Sequence, residues 1–247
     1  MTMTLLGIIL MVAGFIGVLV CAKLQKSNPS IQPVAVICAL VMIAGLIVYG
    51  YNYMNGSSGS AETAEIYARA TGRGIGNFLK SAAAGKKVYF VVNPGAETSA
   101  YALNQKDEMQ KACGSSVDII SIEVPDEVRE AGDLIGFLKP KHIDDLVARD
   151  ETAVYVLDIG MPEKGAPQCF NKPDGKRPAI FLSNTGMVND KNLKKWIKDG
   201  KIIGILIGNP AKRDPNFEPS LRKLDETFNR QYVVVDKSNL DSYKDRF

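Results

Sequence analysis

The stretch from Lys86 to Gly114, KKVYFVVNPGAETSAYALNQKDEMQKACG, decides the fold class. It begins with a β-branched and aromatic run at residues 88–92 and turns through a polar corner that contains proline and glycine. Helical spacing of apolar residues then extends over residues 97–113. A strand that leads through a short corner into a helix is the unit from which α/β proteins are built.

The same alternation continues toward the carboxyl terminus. The further strands are predicted at residues 117–124, 153–157, 179–182, 202–207 and 232–235, and the further helices at residues 140–149, 190–199 and 215–229. Continuous apolar strands separated by helices are typical of a parallel sheet that is covered on both faces. The sequence therefore predicts an α/β domain with a doubly wound, mostly parallel sheet of about six strands.

Two uncharged apolar segments, residues 4–22 and 33–54, precede this domain. Each has roughly the 20 apolar residues that cross the hydrocarbon layer of a bilayer. They predict a two-helix transmembrane hairpin over residues 1–54, in contact with the lipid bilayer. A cleaved signal peptide is the alternative for the first segment, although that segment lacks the basic amino-terminal region of such peptides.

The charges around the two segments predict an orientation. Lys23 and Lys26 lie in the connector, and no basic residue precedes the first segment. Because basic loops tend to remain in the cytoplasm, the connector is predicted to face inward. The chain is thus predicted to be an integral membrane protein with two spans and a periplasmic or extracellular soluble domain.

Residues 55–84 are predicted to connect the hairpin to a soluble domain at residues 85–247. The sequence NGSSGS at 55–60 is typical of a flexible link. A juxtamembrane helix is predicted to follow, up to about residue 84. Gly72, Gly74 and Gly76 do not form a dinucleotide fingerprint, because their spacing is one residue short and no strand precedes them.

Small hydrogen-bonding residues follow nearly every predicted strand. In a doubly wound sheet, ligands bind beyond the carboxyl ends of the strands. These residues therefore predict a crevice for a small polar solute or an anion, although the same residue types also form turns and helix caps without any ligand. The candidate ligand-binding residues are Asn93, Gly95, Thr98, Ser99, Asp158, Ser183, Asn184, Thr185 and Asn209. The sequence DKSN at residues 236–239 follows the last predicted strand and is placed at the same edge.

Residues 88–124, VYFVVNPGAETSAYALNQKDEMQKACGSSVDIISIEV, resemble the first strand, corner, helix and second strand of one lobe in the type 1 periplasmic-binding-protein-like superfamily, particularly its ABC transporter substrate-binding members. Residues 142–160 resemble a later helix and strand of such a lobe. The resemblance implies that Asn93, Gly95, Thr98 and Ser99 line a solute cleft. Members of that superfamily close two lobes over their solute, whereas this soluble region has room for one.

Several kinds of chemistry are excluded by what the sequence lacks. His142 is the single histidine, and there is no CxxC or paired-histidine metal spacing, so neither a metal site nor a catalytic triad is predicted. No GxxxxGK[ST] or GxSxG motif is present, and no cofactor is predicted. The net charge of +3, with no known nucleic-acid motif, argues against nucleic-acid binding. Cys113 and Cys169 could form a disulfide or remain two separate thiols.

Three functions remain open from the sequence. The first is a non-enzymatic, membrane-anchored module that binds a small polar ligand or a protein partner, such as another membrane protein, as a sensor or assembly component. The second is a membrane-anchored transferase or hydrolase that uses Asp158 and the loop from Ser183 to Thr185. The third is a purely structural domain whose crevice is filled by side chains.

Overall fold

The computed structural model describes residues 3–25, 31–131, 134–184, 190–209 and 217–246. The chain divides into two compact units, Met1–Thr63 and Ala64–Phe247. Across the residues that are described, no helix combines the length and the mean hydropathy that a membrane span requires.

The first unit contains helix α1 (Met3–Leu24) and the beginning of helix α2 (Gln32–Leu79). The two helices pack closely where α1 has glycine. A Cβ atom at Gly14 would lie 2.6 Å from the backbone nitrogen of Met42, and one at Gly17 would lie 2.6 Å from Cys38 Sγ. The predicted pair of helices is therefore present, and its glycines let the backbones approach.

Helix α2 differs from the prediction for residues 55–84. It continues as one helix through residues 55–60, where the sequence predicts a flexible link. The boundary between the units falls after Thr63, so the remainder of α2 belongs to the α/β unit. The reason is that Ile66, Ala70, Ile75 and Leu79 are buried against the sheet. Burial of this apolar face stabilises a helix that propensity alone would not support.

The second unit contains a six-stranded sheet, as predicted. Its strand order is β2-β1-β3-β4-β5-β6, with β1 to β5 parallel and β6 antiparallel to β5. The strands are β1 (Val88–Val91), β2 (Val117–Ile120), β3 (Val154–Leu157), β4 (Ala179–Leu182), β5 (Gly204–Gly208) and β6 (Tyr232–Val235). The helices are α3 (Ala100–Cys113), α4 (Asp126–Ala131), α5 (Leu134–Phe137), α6 (Pro140–Val147), α7 (Asp190–Lys198) and α8 (Leu224–Gln231).

Helices cover both faces of the sheet, which confirms the doubly wound architecture. On the first face, α2, α3 and α8 pack on Phe90, Val156 and Phe181. On the second face, α6 and α7 pack on Tyr155 and Leu182. Because successive residues of a strand point to opposite faces, alternate strand residues enter the two cores.

The three glycines of the GRGIG sequence allow α2 to pack closely, rather than forming a nucleotide loop. A Cβ atom at Gly72 would overlap the backbone of Gln105 in α3, and one at Gly74 would overlap the Phe228 ring of α8. At Gly76 it would lie 2.6 Å from the carbonyl oxygen of Met109. The glycines therefore bring α2 into contact with both of its neighbours.

The second strand and the last helix differ most from their predicted bounds. The second strand ends at Ile120 rather than at residue 124. The last predicted helix, residues 215–229, lies partly outside the described residues, and its described part is a short 3₁₀ turn (Leu221–Lys223) followed by α8. Ser220 begins that turn by accepting a hydrogen bond from the backbone nitrogen of Arg222 at 3.3 Å. The non-helical backbone of Lys223, with φ −127° and ψ 40°, separates the turn from α8.

The two cysteines of the α/β unit are separate thiols. Cys113 is buried in the core of the first face and Cys169 in the core of the second. The sheet between these cores keeps the two sulfur atoms from bonding.

Candidate functional site

The strand order reverses direction between β1 and β3. The chain passes from β1 outward to β2 and then returns to β3 on the other side of β1. In doubly wound sheets, ligands bind beyond the carboxyl ends of the strands at this reversal of direction. Here those ends lead into the corner from Asn93 to Ser99 and into Asp158.

The corner after β1 is built from local hydrogen bonds. The carbonyl oxygen of Asn93 accepts from the backbone nitrogen of Ala96 at 2.9 Å, and Gly95 has a φ of +86°. Glycine adopts a positive φ more easily than other residues do, so Gly95 allows the backbone to make this turn. Ser99 is the amino-terminal cap of α3, since its Oγ accepts from the backbone nitrogen of Ala102 at 3.1 Å. The turn therefore accounts for Gly95 and the helix cap accounts for Ser99, and neither residue requires a ligand.

Replacement of Ser99 by alanine should destabilise the protein by about 0.5–2 kcal/mol, because the cap of α3 is lost. Thr98 is exposed and caps no helix, so Thr98→Ala provides the matched control and should leave stability within about 0.5 kcal/mol. Denaturant unfolding of the full chain checks both variants. If Ser99→Ala and Thr98→Ala lowered the free energy of unfolding equally, the assignment of Ser99 as the cap would be wrong.

Glu97 connects the corner to the end of β2, because its carboxylate accepts a hydrogen bond from the hydroxyl of Ser121. Both side chains are partly exposed. Glu97 lies only four residues after Asn93, yet sequence analysis left it out of the candidate set. Its partner follows a strand that is shorter than predicted.

Asp158, Ser183 and Asn184 meet at the ends of β3 and β4. Ser183 Oγ donates to Asp158 Oδ1 at 2.9 Å, and Asn184 Nδ2 donates to the carbonyl oxygen of Asp158 at 3.2 Å. Burial raises the pKa of Asp158 above its ordinary value, and the hydrogen bond from Ser183 opposes that rise. The carboxyl group is therefore held in a place that disfavours its charge.

Two other candidate residues do not join this group. Asn209 closes the connection between β5 and β6: its backbone nitrogen donates to the carbonyl oxygen of Gln231 at 2.8 Å, and its Nδ2 donates to that of Asn229 at 3.0 Å. Thr185 lies outside the described residues. Of the nine candidates, the structure thus brings Asp158, Ser183 and Asn184 into direct contact.

Asp158 and Ser183 point to the face that α2, α3 and α8 cover. Val156 and Phe181 belong to the core of that face, and Asp158 and Ser183 come two residues later, directly after the last residues of β3 and β4. Their backbone nitrogens continue the ladder, since they donate to the carbonyl oxygens of Val91 at 2.8 Å and Leu157 at 3.1 Å. Side chains two apart on a strand share a face. The two residues therefore continue the apolar core outward as a polar layer.

Three residues that sequence analysis did not select complete this layer. Tyr101, in the first turn of α3, is 45% exposed as a residue. Removal of its phenol from water is the largest of the effects that raise its pKa to about 12, and the charges of Tyr232 and Asp158 add to the rise. The hydroxyl of Thr71 on α2 acts in the opposite direction on the pKa of Tyr101. Tyr232, Asp158 and Thr71 thus all act on the phenol of Tyr101. We define the polar layer as Thr71, Tyr101, Asp158, Ser183 and Tyr232.

Thr71 is the most enclosed member of the polar layer. The residue is 3% exposed, and within the described part of the chain its Oγ1 meets no partner at hydrogen-bond geometry, although its hydroxyl acts on the pKa of Tyr101. Buried hydroxyl groups almost always have a partner in proteins. The polar layer therefore contains a buried hydroxyl oxygen without a hydrogen bond from the described residues.

His142 has a structural position. Its Nδ1 accepts from the backbone nitrogen of Lys139 at 3.1 Å, and its ring stacks on Phe137 with 4.7 Å between centroids. Burial lowers the pKa of His142 below its ordinary value. Within the part of the chain that the structure describes, no three histidine, cysteine or carboxylate side chains are arranged to hold a metal ion.

Comparison of the chain with protein-family models, with curated proteins and with solved structures gave no match in any of the three. The resemblance to one lobe of the periplasmic-binding-protein-like superfamily stays a prediction.

Proposed function

We propose that this protein is a membrane-anchored module that binds a small polar ligand at the carboxyl edge of its sheet. The observation that carries the proposal is the polar layer, whose Asp158 follows β3 at the reversal of strand direction. The layer contains a partly buried carboxyl group, a serine that donates to it and a buried threonine oxygen with no hydrogen-bond partner among the described residues. Doubly wound folds bind their ligands beyond the carboxyl ends of the strands, which is where Asp158 and Ser183 lie. A domain with a purely structural role gains nothing from a buried hydroxyl without a hydrogen bond or from a carboxyl group held where its charge is disfavoured, because both lower its stability.

Binding fits the polar layer better than catalysis does. Hydroxyl groups bind ligands without ionising, and the pKa of Tyr101 at about 12 keeps its phenol neutral at physiological pH. His142, the single histidine, belongs to α6 on the second face of the sheet and not to this layer. We therefore assign these side chains to recognition of a ligand.

Membrane anchoring is supported by the apolar surface of the first unit. Fifteen large apolar side chains are exposed there, among them Phe15 at 55%, Leu40 at 59% and Ile47 at 66%. Soluble monomers rarely expose so much contiguous apolar surface. Contact with lipid would remove these side chains from water, and we propose that residues 4–22 and 33–54 form the anchor.

Replacement of Ile43 by arginine should weaken membrane association. Ile43 is exposed near the middle of the second proposed span, and arginine at the centre of a span costs about 2.5–3.5 kcal/mol on insertion scales. The matched control is Leu221→Arg, at an exposed leucine of the α/β unit. Retention of the full chain in the membrane pellet after alkaline carbonate washing is the measurement. Full release of the parent protein would contradict anchoring.

The proposed orientation has its own test. A reporter that works only in the cytoplasm, fused after Phe247, should be inactive, because Lys23 and Lys26 hold the connector inside. Transfer of both lysines to the segment before Leu5 should raise reporter activity. Strong activity in the parent fusion would reverse the orientation.

Ligand binding is tested by thermal unfolding of the full chain in detergent, followed through the fluorescence of Trp196. That side chain is the single tryptophan and is 4% exposed, so unfolding changes its surroundings. Sugars, amino acids, nucleosides and small anions form the panel. A ligand at one hundred times its dissociation constant stabilises the native state by about 2.7 kcal/mol. If no solute shifts the transition, the proposal of a solute crevice is wrong.

A further inference from the structure

We propose that Cys21 and Cys38 form a redox-active pair, which closes as a disulfide between helices α1 and α2 when a small disulfide compound oxidises it. In the structure both residues are free thiols. The inference goes beyond the proposed function, because it concerns the first unit alone and does not depend on a ligand at the carboxyl edge of the sheet.

The first argument is the position of Cys38 on helix α1. A Cβ atom at Gly17 would lie 2.6 Å from Cys38 Sγ and 3.1 Å from Cys38 Cβ, and one at Gly14 would lie 2.8 Å from the carbonyl oxygen of Cys38. Cys38 therefore packs directly on these two glycines. A disulfide joins Cα atoms that are only about 4.4–6.8 Å apart, so it needs the close approach of two backbones that glycine contacts allow.

The second argument is the place of Cys21 in the same contact. In closely packed helices, a side chain of one helix enters a hole formed by four residues of the other. Residues three and four apart are neighbours on a helix surface, so such a hole has the spacing i, i+3, i+4 and i+7. Gly14 and Gly17 are two members of the hole that Cys38 enters, and the same spacing adds Val18 and Cys21. Cys21 therefore lies beside Cys38.

The exposure of the side chains on α1 supports this position of Cys21. Cys21 is 6% exposed, whereas Leu19 and Val20 are 55% and 52% exposed. Because these neighbours point away from α2, the low exposure of Cys21 means that it faces α2. Its thiol also forms a side-chain hydrogen bond with Cys38. Both sulfur atoms thus lie at the contact between the two helices.

The proposed reaction is a thiol–disulfide exchange with an oxidant such as glutathione disulfide. Cys38 is partly exposed, so its thiolate attacks first, forms a mixed disulfide and releases one glutathione. The thiolate of Cys21 then attacks the sulfur atom of Cys38 and releases the second glutathione. One S–S bond breaks in the oxidant and one forms in the protein. The two thiol protons pass to the two glutathione molecules, and the oxidant is reduced by two electrons.

The test exposes the full chain in detergent to glutathione disulfide, stops the exchange with an alkylating reagent and maps the cysteines by mass spectrometry after trypsin digestion. Lys23 and Lys26 separate Cys21 from Cys38, so trypsin leaves the two cysteines on different peptides unless a disulfide joins them. In the parent protein the two peptides should be joined, with the loss of two hydrogen atoms and of alkylation at both cysteines.

Two variants separate proximity from reactivity. Cys21→Ser should stop at the mixed disulfide of Cys38, because the second thiol is missing, and serine is close enough in size to cysteine to preserve the helix contact. Leu19→Cys in the Cys21→Ser background is the matched control. It returns a thiol to α1 at nearly the same depth but on an exposed side of the helix, where Leu19 is 55% exposed. This double variant should also stop at mixed disulfides.

Four results would overturn the inference. The first is a parent protein in which Cys21 and Cys38 remain unbridged, and the second is an equal amount of bridge in the Leu19→Cys control. The third is a covalent dimer formed through these cysteines. The fourth is a bridge between Cys113 and Cys169, which are buried in the cores of opposite faces of the sheet and can meet only in an unfolded chain. None of these results bears on the proposed ligand crevice, so the two proposals fail separately.

Discussion

A chain that begins at Ala84 should fail to fold, whereas one that begins at Ala61 should unfold cooperatively without detergent. The shorter chain lacks residues 61–83, including the part of α2 that covers the first face of the sheet. Ile66, Ile75 and Leu79 are at most 6% exposed, and burial of each such side chain contributes about 1.5–3 kcal/mol. Their combined loss is comparable with the total stability of an ordinary domain, about 5–15 kcal/mol.

Loss of α2 would also leave a buried charge without its partners. The side chain of Glu108 on α3 is 9% exposed, and its carboxylate lies 3.4 Å from Arg69 and 4.0 Å from Arg73, both on α2. Only Lys111, at 2.8 Å, would remain among these three cations. Removal of one partner of a buried ion pair is strongly destabilising, because the other charge remains buried without compensation.

Circular dichroism and cooperative thermal unfolding of the two shortened chains are the measurements. Gly72→Ala in the longer chain is the point test of the same contact, because the added methyl group would meet the backbone of Gln105. Overpacking of this kind typically costs about 1–3 kcal/mol. A stable, cooperative chain that begins at Ala84 would contradict the assignment of residues 64–79 to the α/β unit.

Asp158→Asn should make the free protein more stable at neutral pH and remove its response to ligand. Burial raises the pKa of Asp158, so the folded protein keeps this proton to a higher pH than the unfolded chain does. Stability that depends on the protonated carboxyl is fully present below the unfolded pKa, about 3.9, and is lost as the pH rises through the folded value. Asparagine does not titrate and can still accept from Ser183.

The difference in unfolding free energy between variant and parent should therefore be small near pH 4 and grow toward pH 7. Groups that titrate equally in both proteins cancel in this difference. Asp107→Asn is the control and should show a flat difference over the same range. A parent protein that is more stable than Asp158→Asn at pH 7 would mean that Asp158 stabilises the fold.

The loss of ligand response should be large. A solute that stabilises the parent by about 2.7 kcal/mol at one hundred times its dissociation constant should give little stabilisation of Asp158→Asn at the same concentration. A variant that gains stability while losing binding shows that the residue is kept at a cost to the fold. Retained ligand stabilisation in the variant would place the ligand elsewhere.

The strands of the sheet could be predicted because each one is specified by a short stretch of the sequence. Each strand is a short β-branched run, and β4 and β6 have the bounds that the sequence predicts. The direction of β6 is not local, since it depends on pairing with β5 across a connection that includes α8. This direction places Tyr232 at the carboxyl edge and moves the DKSN sequence, residues 236–239, to the opposite edge. The prediction that residues 236–239 share the edge of Asp158 was wrong for that reason.

Residues of the candidate site could be predicted only where they directly follow a predicted strand. Asp158 and Ser183 follow apolar runs directly, and the structure joins them. Thr71 could not be selected, because the sequence from Met1 to Thr71 gives no sign that the end of α2 packs on the sheet. The spacing of Gly72, Gly74 and Gly76 is the signal that the sequence offers, and the structure explains it by close contacts with α3 and α8.

The measurement that tests the central claim most directly is amide hydrogen exchange of the full chain, with and without a stabilising solute. A ligand in the crevice should slow exchange in three segments, residues 93–102, 158–160 and 183–184, and at the start of β6. Exchange at the opposite edge of the sheet, in residues 236–239, should be unchanged. Protection confined to that opposite edge, or to the helices of the second face, would contradict a ligand site at the carboxyl ends of the strands.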